Sequence, residues 1–201
     1  MEIFYLRKEN FLHSIDIESL KRFNDGRVYL SAGKYSEHLC GLFLAKFIAK
    51  HVYAASDTDV ILQGNKPLFK SGGIYFSISH SNDIVLAAFN NAQIGVDVEY
   101  MKERNFQKIM TRYGYNVKNP SKEDFYKFWT AHEAEIKLGD KPKSLFSAVL
   151  EQDYFVSCLS SNIIVTNFII KRLCIKEDAA NIDLYDEFKR SSGSYSLRIR
   201  Y

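Results

Sequence analysis

Hydrophobic positions in this chain follow two periods, and the switch between them marks out the elements. Met1 to Leu6 is a short apolar run with strand character. Ser14 to Phe23 carries a weak helical repeat. Leu39, Leu42, Phe43 and Phe47 recur at helical spacing, which predicts an amphipathic helix from Ser36 to Val52. Turn chemistry follows at Gly64-Asn65-Lys66-Pro67 and at Gly72-Gly73. From Ile74 to His80 the pattern alternates. Ile74, Phe76 and Ile78 face one way, and Tyr75, Ser77 and Ser79 the other. Ile84 to Phe89 is a nearly continuous apolar strand. Asn90-Asn91 predicts a hairpin turn, after which Gln93 to Glu99 alternates again.

The second half opens on a stronger helical signal. Ser121-Lys122-Glu123-Asp124 fits a capping box, with Asp in place of the preferred Glu. Phe125, Phe128, Trp129 and Ile136 form an apolar stripe over a helix from Lys122 to Leu138, and Gly139 is placed to cap it. Strand-like segments follow at Leu145–Leu150, Tyr154–Cys158, Ile163–Ile170 and Ser194–Arg200. Each half, 1–100 and 101–201, thus holds a long helix and several strands. That order predicts an α+β fold with helices packed on antiparallel sheets.

Composition narrows the class without naming a function. A chain of 201 residues, 46% hydrophobic and 25% charged, has enough apolar material for a core without disulfides. Its formal charge of +3 is too mild to indicate a nucleic-acid binder. The basic residues cluster, however. Lys102 to Lys127 contains seven basic and three acidic residues, and Leu20 to Lys34 contains four and one. Either stretch suits an acidic partner or phosphates, while for any one of these lysines an ordinary solvated face is the weightier reading. Cys40, Cys158 and Cys174 form no CxxC pair and read as buried thiols. With no signal-peptide pattern and no apolar run near the ~20 residues of a membrane span, the expected setting is the cytoplasm, away from membranes.

Two segments carry candidate chemistry. Along Gln93–Glu99, Ile94, Val96 and Val98 share one face, while Gly95, Asp97 and Glu99 share the other. Two carboxylates pointing the same way repel, and a bound cation relieves that repulsion. Magnesium commonly takes one or two carboxylates together with phosphate oxygens and water. Gly95 leaves that face bare, as if to make room for a ligand. Taken alone, a half-buried strand with a solvated acidic edge is the weightier reading. Glu133 and Lys137, four residues apart, share a helix face. Alone they are a routine surface pair.

Together the segments resemble the 4'-phosphopantetheinyl transferases. That family carries a G-[IV]-D-[IV]-E strand and, later, a W-x-x-K-E-[AS]-x-x-K helix. Here Gly95-Val96-Asp97-Val98-Glu99 precedes Trp129-x-x-His132-Glu133-Ala134-x-x-Lys137. Upstream, Gly64-Asn65-Lys66-Pro67 stands where the family has a G-K-P turn, and Ser79-His80-Ser81 where it has S-H-S. The ordered match covers residues 64–137. The length resembles the larger, pseudo-dimeric, Sfp-like type, which implies a monomer of two similar α+β halves with the active site between them.

The resemblance implies transfer of the phosphopantetheine arm of coenzyme A to a serine of an apo acyl or peptidyl carrier protein. Asp97, Glu99 and Glu133 would surround Mg²⁺, Glu133 would accept the serine proton, and Lys137 would neutralise phosphate charge. Lys34, Lys66, Pro67, Ser79 and His80 would contact the coenzyme, with Lys21 and Arg22 as further N-terminal candidates. Basic residues such as Lys102, Lys108, Arg112 and Lys118 would meet an acidic carrier. Two departures stand out: His132 replaces a family lysine, and Asn65 interrupts the G-K-P turn. His132 reads either as a packed histidine or as a phosphate contact. A carrier-binding homologue that has lost catalysis is the alternative. No GxxxxGK[ST] loop supports a P-loop enzyme and no GxSxG elbow supports a serine hydrolase.

Overall fold

The computed structural model describes residues 1–163 and 169–174, together with the backbone of Ile175, 181–186 and 197–200. The elements run β1 (Glu2–Arg7), α1 (Lys8–Ser14), α2 (Ile17–Leu20), α3 (Ala32–His51), β2 (Val60–Gln63), β3 (Lys66–Phe69), β4 (Tyr75–Ser81), β5 (Ile84–Asn90) and β6 (Ile94–Tyr100). They continue with α4 (Phe106–Arg112), α5 (Lys122–Leu138), β7 (Ser144–Leu150), β8 (Tyr154–Ser160), β9 (Ile169–Ile175), β10 (Asn181–Asp186) and β11 (Leu197–Arg200). The mixed α+β class expected from the pattern is the observed one. α3 begins four residues earlier than its apolar repeat suggests, and the short helix α4 had no sequence signal of its own. The turn at Gly64-Asn65 closes the hairpin β2–β3, with Gln63 opposite Lys66. Parts of the expected strands 163–170 and 194–200 lie outside the described residues.

The strands form a six-stranded sheet in the order β11-β10-β9-β1-β5-β4, a three-stranded sheet β6-β8-β7, and the hairpin. The sheets exchange strands across residue 100: β6 pairs with β8, while β9 runs parallel to β1. The expected hairpin at Asn90-Asn91 does not form. The chain leaves the large sheet after β5 and enters the small one as β6. A polar dipeptide marks a turn equally well in either case, because hairpin and crossover differ in where the next strand pairs, not in the turn itself.

Alternation along the strands sorts the core into layers. Phe4 and Leu6 of β1 and Phe76 of β4 pack under α3. Ile3, Tyr5, Ile84, Leu86 and Ala88 turn the other way, onto Ile94, Val96, Val98, Val156 and Cys158 of the small sheet. β5 is covered on both sides, which explains its unbroken apolar run. α5 closes the outside of the small sheet through Phe125, Tyr126, Ala134 and Leu138 against Phe155 and Leu159. The layers are therefore helix, sheet, sheet, helix. Cys40 and Cys158 are buried, and burial pushes the Cys40 thiol up to about 12. Cys174 is only partly buried.

α5 has the ends its sequence announces. Ser121 Oγ accepts from Asp124 N at 3.1 Å, and Asp124 Oδ2 accepts from Ser121 N at 3.1 Å, which completes the capping box. Gly139 takes φ +68° at the C-terminal cap. One stripe position is corrected: Ile136 is 61% exposed. It projects into a cleft rather than onto the small sheet.

Candidate functional site

β4 and β6 are edge strands of different sheets, yet they run side by side. Their seam is made by side chains instead of a backbone ladder. Ser77, Ser79 and Ser81 alternate along one face of β4, and their Oγ atoms accept from Val96 N (3.1 Å), Val98 N (3.2 Å) and Tyr100 N (3.0 Å). Small hydroxyls at every second position thus satisfy the outward N–H groups of an edge strand, which otherwise remain unpaired. This same seam sets the carboxylates. Ser79 Oγ donates to Asp97 Oδ1 at 2.8 Å, and Ser81 Oγ donates to Glu99 Oε2 at 3.2 Å.

α5 supplies the other wall. Lys137 Nζ lies 2.7 Å from Asp97 Oδ1 and donates to Ser79 Oγ at 2.9 Å. With one proton given and two received, the Ser79 hydroxyl is saturated and cannot rotate freely. Just over two turns earlier in the helix, Trp129 Nε1 donates to Glu99 Oε1 at 3.3 Å. Burial, then the neighbouring Asp97 charge, raises the Glu99 carboxyl above its ordinary range. The reading of a solvated acidic edge is overturned: Asp97 is only 6% exposed. The role expected of Gly95 is corrected too. A Cβ there would stand 2.0 Å from Ala134 O and 2.5 Å from Leu138 N. Its bare face therefore admits the backbone of α5, not a ligand.

Asp97 Oδ2 is buried with no hydrogen-bond partner. A carboxylate oxygen left in that state is costly, and a hard cation bound through oxygen satisfies it. Two carboxylates of this kind are the donors that magnesium would take, with phosphate oxygens and water to complete its shell. Among the described residues, no three His, Cys, Asp or Glu side chains are grouped to hold a metal. Asp97, Glu99 and Glu133 are therefore not a ready-made cage. Glu133 lies one turn before Lys137 on α5 and is half-buried.

Beside this pair opens a cleft of about 650 Å³. α3 contributes His38 and Leu42, the hairpin contributes Gln63, Asn65, Lys66 and Pro67, β4 contributes Phe76 to Ile78 and His80, and the end of α5 contributes Ile136 to Gly139. Five coenzyme candidates from the sequence meet around it: Lys66, Pro67, His80 and Lys137 line it, and Ser79 holds Lys137 from behind. Lys66 Nζ donates to Leu138 O at 2.9 Å and Gln93 Oε1 at 3.1 Å, so it also caps the end of α5. Burial lowers its pKa.

Lys34 is not brought in. It is exposed in the first turn of α3. Lys21 is engaged with Glu18 at 2.7 Å, and Arg22 lies over the Phe23 ring. The N-terminal residues that do line the cleft are Asp25, Arg27 and Tyr29. His38 Nε2 sits 2.9 Å from Asp25 Oδ1, and Arg27 Nε 3.4 Å from Asp25 Oδ2. The only sequence signal for this group was the local basic surplus, which does not single out Arg27 from its neighbours.

His132 faces elsewhere. Its ring packs among Tyr113, Phe128 and Trp129, with centroids at 5.1, 6.1 and 6.3 Å. It lines a separate groove with Tyr115, Lys127 and Leu145. Of the two readings left open, the structure supports the packed histidine. Lys102, Lys108, Arg112 and Lys118 are all exposed. Among the described residues, no helix is long and apolar enough to cross a membrane.

Comparison with known proteins adds an independent line. No family model matches the chain. Three curated relatives do. The chain is 31% identical over 133 residues to the 4'-phosphopantetheinyl transferase psf-1 of Bacillus pumilus, a match spanning 57% of the chain and 56% of that protein. It is 35% identical over 99 residues to the 4'-phosphopantetheinyl transferase ffp of Bacillus subtilis, spanning 41% and 42%. It is 24% identical over 182 residues to the 4'-phosphopantetheinyl transferase gsp of Aneurinibacillus migulanus, spanning 71% and 76%. The chain thus spans about half the length of the first two relatives.

Proposed function

We propose, on the premise that this chain is related to the 4'-phosphopantetheinyl transferases, that it transfers the phosphopantetheine arm of coenzyme A to a serine of an apo carrier protein. The observation that carries the reading is the Asp97 carboxylate, held by Ser79 and Lys137 at the edge of the cleft with one buried oxygen unpaired. In the reaction the serine oxygen bonds to the phosphorus bearing the pantetheine arm. The bond from that phosphorus to the bridging oxygen breaks, and adenosine 3',5'-bisphosphate leaves with the electron pair. Glu133, directly or through water, takes the serine proton.

Such chemistry depends on positioning and on neutralising phosphate charge. Asp97 and Glu99 would hold Mg²⁺, which would supply that neutralisation when bound, and Glu133 is the further carboxylate that α5 offers. Lys137 is fixed by its two contacts in β4 and β6, so its ammonium needs no reorganisation when charge develops. Lys66, Arg27 and His80 add positive or hydrogen-bonding groups along the cleft. The exposed basic residues between β6 and α5 attract an acidic carrier, an attraction that salt weakens. The chain acts as a monomer in this reading, since β4, β6 and α5 of one chain supply the carboxylates and cations.

Incubation with coenzyme A, Mg²⁺ and several apo carriers tests the proposal. Mass spectrometry should show each accepted carrier gaining one phosphopantetheine arm. Carrier that is bound and never modified would instead favour a homologue that has lost catalysis. His132→Ala is expected to leave transfer within about threefold, because its ring packs away from the cleft. Its cost should appear in thermal unfolding, at about 1 kcal/mol for lost ring packing. A loss of transfer as deep as that of Glu133→Ala would restore His132 to the phosphates.

A further inference from the structure

His80 lines the cleft, but the residue that holds it does not. His80 Nδ1 lies 3.3 Å from Glu37 Oε2. Glu37 reaches it from α3, outside the cleft lining. The other oxygen of Glu37 is 2.9 Å from Lys8 Nζ, at the start of α1. Glu37 and Lys8 are each about four-fifths buried at the side chain, so solvent screens this chain of contacts only weakly. His80 itself keeps 41% of its side chain exposed, toward the cleft. Nothing in the sequence motifs pointed to Glu37, because it lies in a helix far upstream of S-H-S.

We infer that Glu37 is a positioning residue for the proposed transfer: it engages His80 through Nδ1 and turns the other ring nitrogen toward phosphate in the cleft. The inference rests on the coenzyme reading of that cleft. It also assigns Lys8 a role, as the cation that competes with His80 for the same carboxylate. An imidazole with Nδ1 committed to a carboxylate presents Nε2 in one direction. An arriving phosphate favours the imidazolium, in which Nε2 becomes a donor. Ligand binding would then draw a proton onto His80.

Four charged groups from four elements act on that imidazole. Burial lowers its pKa first, Glu37 of α3 raises it, Lys137 of α5 and Lys8 of α1 lower it, and Asp97 of β6 raises it. Removing Glu37 and removing Lys8 must therefore push His80 in opposite directions. A residue that merely braces the fold would not produce opposed signs.

The test uses the intact chain. His80 is titrated by NMR in the ligand-free wild type, Glu37→Gln and Lys8→Met, with His80→Gln identifying its signal among the five histidines. Coenzyme A affinity is then measured calorimetrically across pH. Glu37→Gln should lower the His80 midpoint, and Lys8→Met should raise it. His80→Gln should weaken coenzyme A about tenfold near pH 6, the loss of one charge-assisted hydrogen bond. In the wild type, affinity should fall as pH rises through the His80 midpoint of the complex, and in Glu37→Gln that fall should begin at lower pH. Tight coenzyme A binding with unmoved midpoints, or with both moved the same way, overturns the role of Glu37 alone. A wild type that binds no coenzyme A at any pH overturns the proposed function and, with it, the ligand named here. Thermal melts of both variants guard against a folding artefact.

Discussion

Asp97→Asn is expected to lower the proposed phosphopantetheine transfer by about a hundredfold to a thousandfold while the protein stays folded. The amide keeps the size of the carboxylate and can still accept from Ser79. It removes the charge that pairs with Lys137 at 2.7 Å. It also removes the buried oxygen that lacks a partner and suits a cation. Both losses fall on preorganised electrostatics, the usual source of large effects in a water-poor site. The measurement is the rate of carrier modification at a fixed Mg²⁺ concentration that saturates the wild type, with circular dichroism as the control for folding. A native-like rate would remove Asp97 from the machinery and leave the Ser79–Asp97–Lys137 cluster as a structural seam. Extra Mg²⁺ should partly rescue Asp97→Asn if the defect is metal affinity, and should not if the defect is the freed Lys137.

Gly95→Ala is the second large effect, and it is one of stability. The three atoms nearest the added methyl carbon are all backbone: Ala134 O at 2.0 Å, Leu138 N at 2.5 Å and Leu138 Cα at 2.9 Å. Backbone of a packed helix cannot rotate aside as a side chain can, so α5 must lift from β6. Overpacking of this kind costs about 3 kcal/mol or more, which lowers Tm by about 6–12 °C in a chain of this size. Gly41→Ala is the matched comparison. Its methyl would meet Ile78 Cγ2 at 2.6 Å, the end of a side chain that can move. It should cost clearly less. A Tm for Gly95→Ala within about 2 °C of wild type would show that α5 has slack at this contact. Because α5 carries Glu133 and Lys137, transfer should also fall in any Gly95→Ala protein that folds.

These two residues sit two positions apart on one strand, and the sequence treated them alike. Alternation in Gln93–Glu99 correctly put Gly95, Asp97 and Glu99 on a face opposite Ile94, Val96 and Val98. It could not say what covers that face. The same limit explains Ile136, assigned to the apolar stripe of α5 by its residue type and found 61% exposed in the cleft. A helix with partners on two sides has more than one buried direction, and a single-stripe reading assigns only one.

Local chemistry was legible wherever a residue acts on near neighbours. The capping box of Ser121 and Asp124 and the left-handed Gly139 depend on atoms within one turn, so the string of letters specifies them. The alternation of β4 and β6 and the order of the four family motifs are likewise properties of the chain as written. Contacts between distant segments were not legible. The serine seam joins positions 77, 79 and 81 to 96, 98 and 100, and Glu37 meets His80 from 43 positions away. Asp25, Arg27 and His38 come to the cleft only because α3 packs across β4 and β5. Periodicity reports the direction in which a side chain points along its own element. What it meets there depends on how layers stack, and that is set by the summed burial of many apolar residues rather than by any local signal. The carboxylates and cations could thus be named from the sequence, while their burial, their serine and lysine partners, and the helix resting on Gly95 emerged from the packing of β4, β6 and α5.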